Sequence, residues 1–193
     1  MGIKRTYRGI PEPNLASYDF YDLATGTGYK NFYGADLSLS GASTYRLTTQ
    51  TPYALVGSTS YYEVASDLDF DVTFEVPITL EGDCLVSVPI TSGSNFTATL
   101  TLRFYKVDGV TETLIGEAMN ASKALNNSSA IITWVYDMPL THFKRGEKLR
   151  LNLIGSNPGG TKILIYLHDP KSRSLGAPAT TISQLIVTLP IKL

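Results

Sequence analysis

Between Leu68 and Leu80 the residues LDFDVTFEVPITL alternate without a break. Leu68, Phe70, Val72, Phe74, Val76, Ile78 and Leu80 fall on one face, and Asp69, Asp71, Thr73, Glu75, Pro77 and Thr79 fall on the other. A period of two over this length predicts a strand with one face in a core and one in water. Pro77 has no N–H for a ladder, so the strand is expected to end, bulge or lie at an edge there. The same pattern recurs from Thr97 to Val107, where Ala98, Leu100, Leu102 and Phe104 alternate with threonines and Arg103. Asp108-Gly109 then signals a tight hairpin into a partner strand over Thr113 to Met119. Ala130 to Tyr136 (AIITWVY) is rich in β-branched and aromatic residues. Leu149, Leu151 and Leu153 form a further set, as do Ile163, Ile165 and Leu167, and then Leu185, Val187 and Leu189 within Ser183 to Ile191. Shorter pieces lie at Leu37–Leu39, Tyr45–Thr48 and Cys84–Ile90.

No window carries a helical period. The nearest, Asn120 to Ser129 (NASKALNNSS), reads as a polar loop holding at most a turn or two of helix. Many strands with polar turns between them predict an all-β fold: a two-sheet antiparallel sandwich, jelly-roll-like, of about eight or nine strands. The strands are not spaced as repeats, which argues against a propeller or solenoid. A chain of 193 residues suits one such domain.

The first part of the chain differs. Residues 1–36 hold Arg5, Arg8, Pro11 and Pro13, then a dense aromatic group of Tyr18, Phe20, Tyr21, Tyr29, Phe32 and Tyr33. The prolines oppose regular structure, and Gly26, Gly28 and Gly34 loosen the stretch after them. The expected organisation is therefore an extended aromatic arm over 1–36 and a sandwich domain over 37–193. Aromatic rings on an extended segment must be buried somewhere. Two readings stay open: the arm wraps its own domain, or these six residues are intersubunit contacts on a neighbour.

Composition narrows the function class. Hydrophobic residues make up 43%, enough for a core, while charged residues make up 17%, below the usual quarter. Such a deficit fits a protein that gives part of its surface to neighbours. A net charge of −1 offers no field to draw in nucleic acid or an anionic membrane. No apolar run approaches the roughly 20 residues that span a bilayer. MGIKRTYRGIPEPN lacks an apolar h-region, so cytoplasmic synthesis without export is expected. The sequons at Asn95, Asn120 and Asn127 are then chance patterns. MGIKRT also fits the N-myristoylation frame through Gly2 and Thr6, but the pattern is short and no second anchor accompanies it.

Candidate chemistry is thin. The two histidines, His142 and His168, have no ligand-type neighbours at metal spacing. The lone Cys84 lies in CLVSVPI and reads as a buried thiol. Gly155 to Gly160 is glycine-rich but lacks the lysine and helix start of a phosphate loop. Asp67, Asp69, Asp71 and Glu75, continued by Glu81 and Asp83, form an acidic stretch. Carboxylates two apart on a strand share a face at about 7 Å, the outline of a Ca²⁺ site or a glycosidase pair. The plainer reading is a solubilising face with Arg103, Lys148 or Arg150 across the ladder. The single Trp134 sits inside an apolar strand and reads as core, whereas the 12 tyrosines keep sugar binding open. The expectation is a chain with no catalytic residues, no cofactor and no metal, and not an enzyme.

Two stretches carry a resemblance. His142 to Leu151 (HFKRGEKLRL) resembles the x-x-Gly-Asp/Glu-x-Leu-x-Leu lead-in to a late strand of many jelly-roll domains. Tyr166 to Leu193 resembles the C-terminal halves of jelly-roll virion proteins, the capsid-decorating and minor structural proteins of tailed phages and related viruses. The resemblance implies oligomeric assembly on a capsid or tail surface and transfers no functional residues. The expected function is a non-enzymatic virion structural protein, decorating or cementing a capsid as a homo-oligomer, with a trimer favoured. Its expected partners are copies of itself and a major capsid or other virion protein, with no nucleic acid and no membrane. It would be made in the host cytoplasm and reside in the virion. The alternatives are a carbohydrate-binding jelly-roll module or the receptor-binding head of a fibre. A hydrolase on the same sandwich would need the acidic face to be a site.

Overall fold

The computed structural model describes residues 28–36, 45–49, 62–64, 67–92, 95–126, 128–156, 165–167 and 184–192. They form eleven strands: β1 (Tyr29–Asp36), β2 (Tyr45–Thr48), β3 (Tyr62–Val64), β4 (Asp67–Thr73), β5 (Ile78–Thr91), β6 (Asn95–Asp108), β7 (Thr111–Asn126), β8 (Ser129–Phe143), β9 (Lys148–Ser156), β10 (Ile165–Leu167) and β11 (Ile186–Pro190). No helix occurs among the described residues. The fold is all-β, as the alternation predicts.

The strands follow one hydrogen-bonded path. From β8 it crosses to β5, then through β11, β1, β2, β4, β9 and β6 to β7, with β10 and β3 attached along the end of β5. Every pair is antiparallel except β2 with β4, which meet in parallel at Arg46 and Asp71. The two faces expected of a sandwich are thus joined through β2, and the sheet wraps one core until it is nearly a closed barrel. Inward positions of β4 (Phe70, Val72), β6 (Leu100, Leu102, Phe104), β9 (Leu149, Leu151) and β5 (Val86, Val88) fill that core. Each buried side chain of this size contributes about 1.5–3 kcal/mol of hydrophobic stabilisation.

Four local readings change. The Leu68–Leu80 run breaks after Thr73, and Val76, expected inward, is 48% exposed in the turn before Pro77. β5 then runs on through Cys84–Ile90 as one long strand. Residues 120–126, expected in a polar loop, are strand: Asn120 to Asn126 pair with Thr101 to Asn95 of β6. Their polarity has a use there. The Thr99 and Ser122 hydroxyls lie 2.8 Å apart, and the Thr101 hydroxyl donates to Asn120 Oδ1 at 2.6 Å. The β6–β7 turn is offset by one residue, with Gly109 and Val110 as its central pair and Gly109 at φ 59°. Glycine at the first central position is the requirement of a II′ hairpin. Finally, Tyr29–Asp36, assigned above to the arm, is a strand of the domain itself. It pairs with β11 and β2, and Phe32 enters the core.

Tyr136 fastens the open seam of the barrel. β7 and β8 end the path and share no ladder. Between Ile115 and Met119, β7 carries two more residues than β6 opposite it, and Gly116 in this bulge has φ 61°. Tyr136 of β8 reaches over and donates its hydroxyl to the Ile115 carbonyl. Its ring meets Phe104 edge-on at 5.0 Å. Burial pushes the phenol above its ordinary pKa, so it remains a donor through the physiological range. A Cβ at Gly116 would lie 2.5 Å from the Tyr136 hydroxyl and need a left-handed backbone as well. Gly116→Ala should therefore cost about 2–3 kcal/mol and Tyr136→Phe about 1–2 kcal/mol in urea unfolding. In a double-mutant cycle the two losses should be clearly less than additive, whereas strict additivity would show that they do not form one latch.

Candidate functional site

Within the acidic stretch, Asp67, Asp69 and Asp71 are bound by side chains of the neighbouring strand β9. Arg150 of β9 binds both carboxylate oxygens of Asp71 at 2.7 and 2.8 Å, and its Nη1 also reaches Asp69 at 3.1 Å and Glu112 at 2.5 Å. The Asp71 bonds, joined by the neighbouring acids, hold the guanidinium above even its usual high pKa, against the opposing effect of burial. Asn152 donates to Asp67 and, at 2.8 Å, to Asp69. The cross-strand partner expected for these carboxylates is thus Arg150, with Lys148 farther off at 3.9 Å from Asp71. Among the described residues no three His, Cys, Asp or Glu side chains gather as a metal-holding group.

The Gly-Glu motif has a structural use. Gly146 turns the chain, and the Glu147 carboxylate accepts the Lys144 N–H at 2.6 Å and the Lys106 ammonium at 2.7 Å. Lys106 in turn donates to the His142 carbonyl at 2.7 Å and lies 5.6 Å from the Phe143 ring centre, plugging one end of the core. Burial works to raise the Glu147 pKa, but the bonds from Lys106 and Lys144 outweigh it and the carboxyl sits below its ordinary value.

The remaining candidate nucleophile and base do not meet. Cys84 is buried in β5 and its pKa is pushed up to about 12 by that burial. His142 is exposed in β8, its Nδ1 3.1 Å from the Thr79 hydroxyl. His168 lies outside the described residues. Trp134 is core, as expected.

A different surface stands out. On the outer face of β8, β5, β11 and β1, residues line up in rows across four strands. Thr133, Ser87, Ile186 and Tyr33 make one row, and Val135, Leu85, Thr188 and Asn31 make the next. Ile131 extends it on β8, opposite the buried Pro89 of β5. None of these side chains bears a charge. Their polar groups satisfy one another: the Thr188 hydroxyl donates to Asn31 Oδ1 at 2.7 Å, and the Ser87 and Thr133 hydroxyls lie 3.4 Å apart. Leu85 is 43% exposed, and Ile131 and Val135 are 58% exposed. Exposed apolar side chains grouped on a rigid face mark interaction surfaces. At one end of the face two exposed carboxylates, Asp83 and Asp137, stand directly opposite each other on β5 and β8. Like charges so placed repel.

The aromatic candidates divide. Tyr29 and Tyr33 lie on this outer face, with Tyr29 52% exposed, while Phe32 on the same strand points into the core. Tyr18, Phe20 and Tyr21 lie outside the described residues. The alternation pattern did not single out Leu85, Ile131 and Val135. A signal was present: AIITWVY is apolar or uncharged on both strand parities, although one parity fills the core.

No protein-family model and no curated protein matches the sequence. Solved structures do. A CocE/NonD family hydrolase from Staphylococcus aureus matches with a TM-score of 0.55 and 13% identity, over 86% of this chain and 37% of that one. An α-amino acid ester hydrolase matches with a TM-score of 0.52 and 11% identity, over 83% of this chain and 36% of the other. The chain therefore spans 37% and 36% of the length of these two proteins. At such identities the likeness is one of fold. It nevertheless overturns the expectation that the chain is not an enzyme. Hydrolases carry this fold over most of its length, so neither an all-β architecture nor a thin set of catalytic candidates excludes a hydrolytic setting. A structure of infectious bursal disease virus matches with a TM-score of 0.29 and 12% identity, over 83% of this chain and 55% of that one. That level carries no argument for a viral origin, and the stronger matches are hydrolases.

The Glu147 clamp makes a pH prediction. Because the folded carboxyl titrates below its unfolded value, its contribution is complete at neutral pH and is lost as pH falls through the folded value. Glu147→Gln should cost about 1–2 kcal/mol at pH 7, and progressively less as the pH falls through the folded value of the carboxyl. Unfolding curves whose separation never narrows on acidification would contradict this.

Proposed function

We propose that the chain is an assembly protein that docks on another folded protein through the uncharged outer face of β8, β5, β11 and β1. The setting we favour is a virion surface, where the chain acts as an oligomer that decorates or cements a capsid. One observation carries the reading: Leu85, Ile131 and Val135 are 43–58% exposed in charge-free rows on four hydrogen-bonded strands. A rigid ladder presents such a patch with little ordering cost on binding, the condition under which exposed apolar area converts to affinity. The low charged fraction of 17% points the same way.

A second reading has its own support. The fold matches over 86% of this chain but 37% of a CocE/NonD hydrolase, so a β-domain of this kind also occurs within a larger hydrolase. On that reading the uncharged face seats the domain against a catalytic partner domain, and turnover of an amino acid ester by the purified chain or its complex is the corresponding assay.

Light scattering coupled to size exclusion tests the docking reading on the full chain. Wild-type protein should form an oligomer. Val135→Lys, a change at an exposed position, should keep monomer stability within about 0.5 kcal/mol but weaken association at least tenfold. An oligomer indifferent to Val135→Lys, or a wild-type chain that stays monomeric and captures no virion protein, sinks the proposal.

A further inference from the structure

We propose that the occupant of the uncharged face is the segment ahead of β1, residues 4–27, donated by a second copy of the chain. This rests on the reading of that face as a docking surface. Three observations lead to it. The first is where the segment joins the domain. The Ile191 N–H donates to the Gly28 carbonyl at 2.5 Å, and Tyr29 pairs with Pro190. Pro190 in turn lies beside Gly82, where a Cβ would come within 3.9 Å of it. The chain therefore enters at the corner of the face nearest the Asp83–Asp137 pair.

The second is complementarity. The face offers apolar rows that end in two opposed carboxylates, and the segment offers Tyr18, Phe20 and Tyr21 together with Lys4, Arg5 and Arg8, which precede its first acid, Glu12. Rings cover the apolar rows, and a cation between Asp83 and Asp137 removes a repulsion that the uncovered domain must bear.

The third is order along the chain, which selects a second copy over the same one. The aromatic residues lie close to the anchor at Tyr29, and the cations lie at the far end. Within one copy the cations would have to double back to the corner that the chain has just left. A segment running outward meets the rows of a neighbour first with its rings and then brings its cations to that neighbour's acidic corner. Exchange of such segments closes a symmetric oligomer without any further surface.

Photo-crosslinking of the full chain tests this. Phe20 is replaced by p-benzoylphenylalanine, light and isotopically heavy chains are mixed and equilibrated, and the irradiated products are mapped by mass spectrometry. The expected products join a heavy chain to a light one, from position 20 to peptides holding Leu85 or Val135. Asp83→Lys with Asp137→Lys should cut their yield about tenfold. Cross-links confined to single chains, cross-links to other strands, or none at all would overturn the inference. Failure here while Val135→Lys still disperses the oligomer leaves the docking face standing with another occupant. Failure of both removes the docking face itself.

Discussion

A sheet that wraps a core must end somewhere, and in this chain everything depends on how its two ends are tied. β7 and β8 are the first and last strands of one continuous path and share no backbone ladder. The Tyr136 hydroxyl crosses between them to the Ile115 carbonyl, over a glycine whose missing side chain makes room. The same tyrosine packs against Phe104, so the seam is fastened to the middle of the core. Two additional β7 residues at the bulge aim the carbonyl, as bulges do at barrel rims. β8 meets β5 with its own irregularity between Leu80 and Gly82, which takes Pro139 and Leu140 out of the regular ladder.

With the barrel so closed, charge is distributed unevenly over its outside. The stretch formed by β4, β9 and β6 carries a satisfied network centred on Arg150. The stretch formed by β8, β5, β11 and β1 carries none over two full rows. Among the described residues the charges thus stay off these two rows, with Asp83 and Asp137 at their end. His142 and Cys84 contribute no paired chemistry to either side: the thiol is sealed in the core, and His142 meets a threonine.

Much of this was legible in the amino-acid order. Where burial is one-sided, as in Asp67–Thr73, Asn95–Asp108 and Lys148–Ser156, the period of two was visible and the inward residues were correct. That a basic residue would face the acids was legible, with Arg103, Lys148 and Arg150 all open; the β4–β9 register is what sets Arg150 opposite Asp71. The first half of β7, Thr113 to Met119, was legible from the turn before it; the second half was not, because from Asn120 to Asn126 only Leu125 is fully buried and no alternation shows. Its Asn-Ala-Ser-Lys run is strand only because β6 supplies the partner. β1 was hidden for the opposite reason: aromatic residues on both parities, Tyr29 and Tyr33 outward and Phe32 inward, look like a sticky arm rather than a strand. The latch was invisible, since nothing in Gly116 or Tyr136 announces that one is built around the other. The interaction face was half-visible, in a strand whose outward parity stays apolar where water should favour polar groups.

The fold occurs within hydrolases of very different sequence, which separates architecture from activity and leaves the surface as the informative feature. The central claim is that the charge-free rows are covered when the protein works. Hydroxyl-radical footprinting of the full chain, as concentration is raised through the association range, reads this residue by residue. Leu85, Ile131 and Val135 should become protected several-fold, while Val110 at the tip of the β6–β7 turn, 99% exposed, keeps its labelling rate. Oxidation of the three face residues that never departs from that of Val110 would contradict the account.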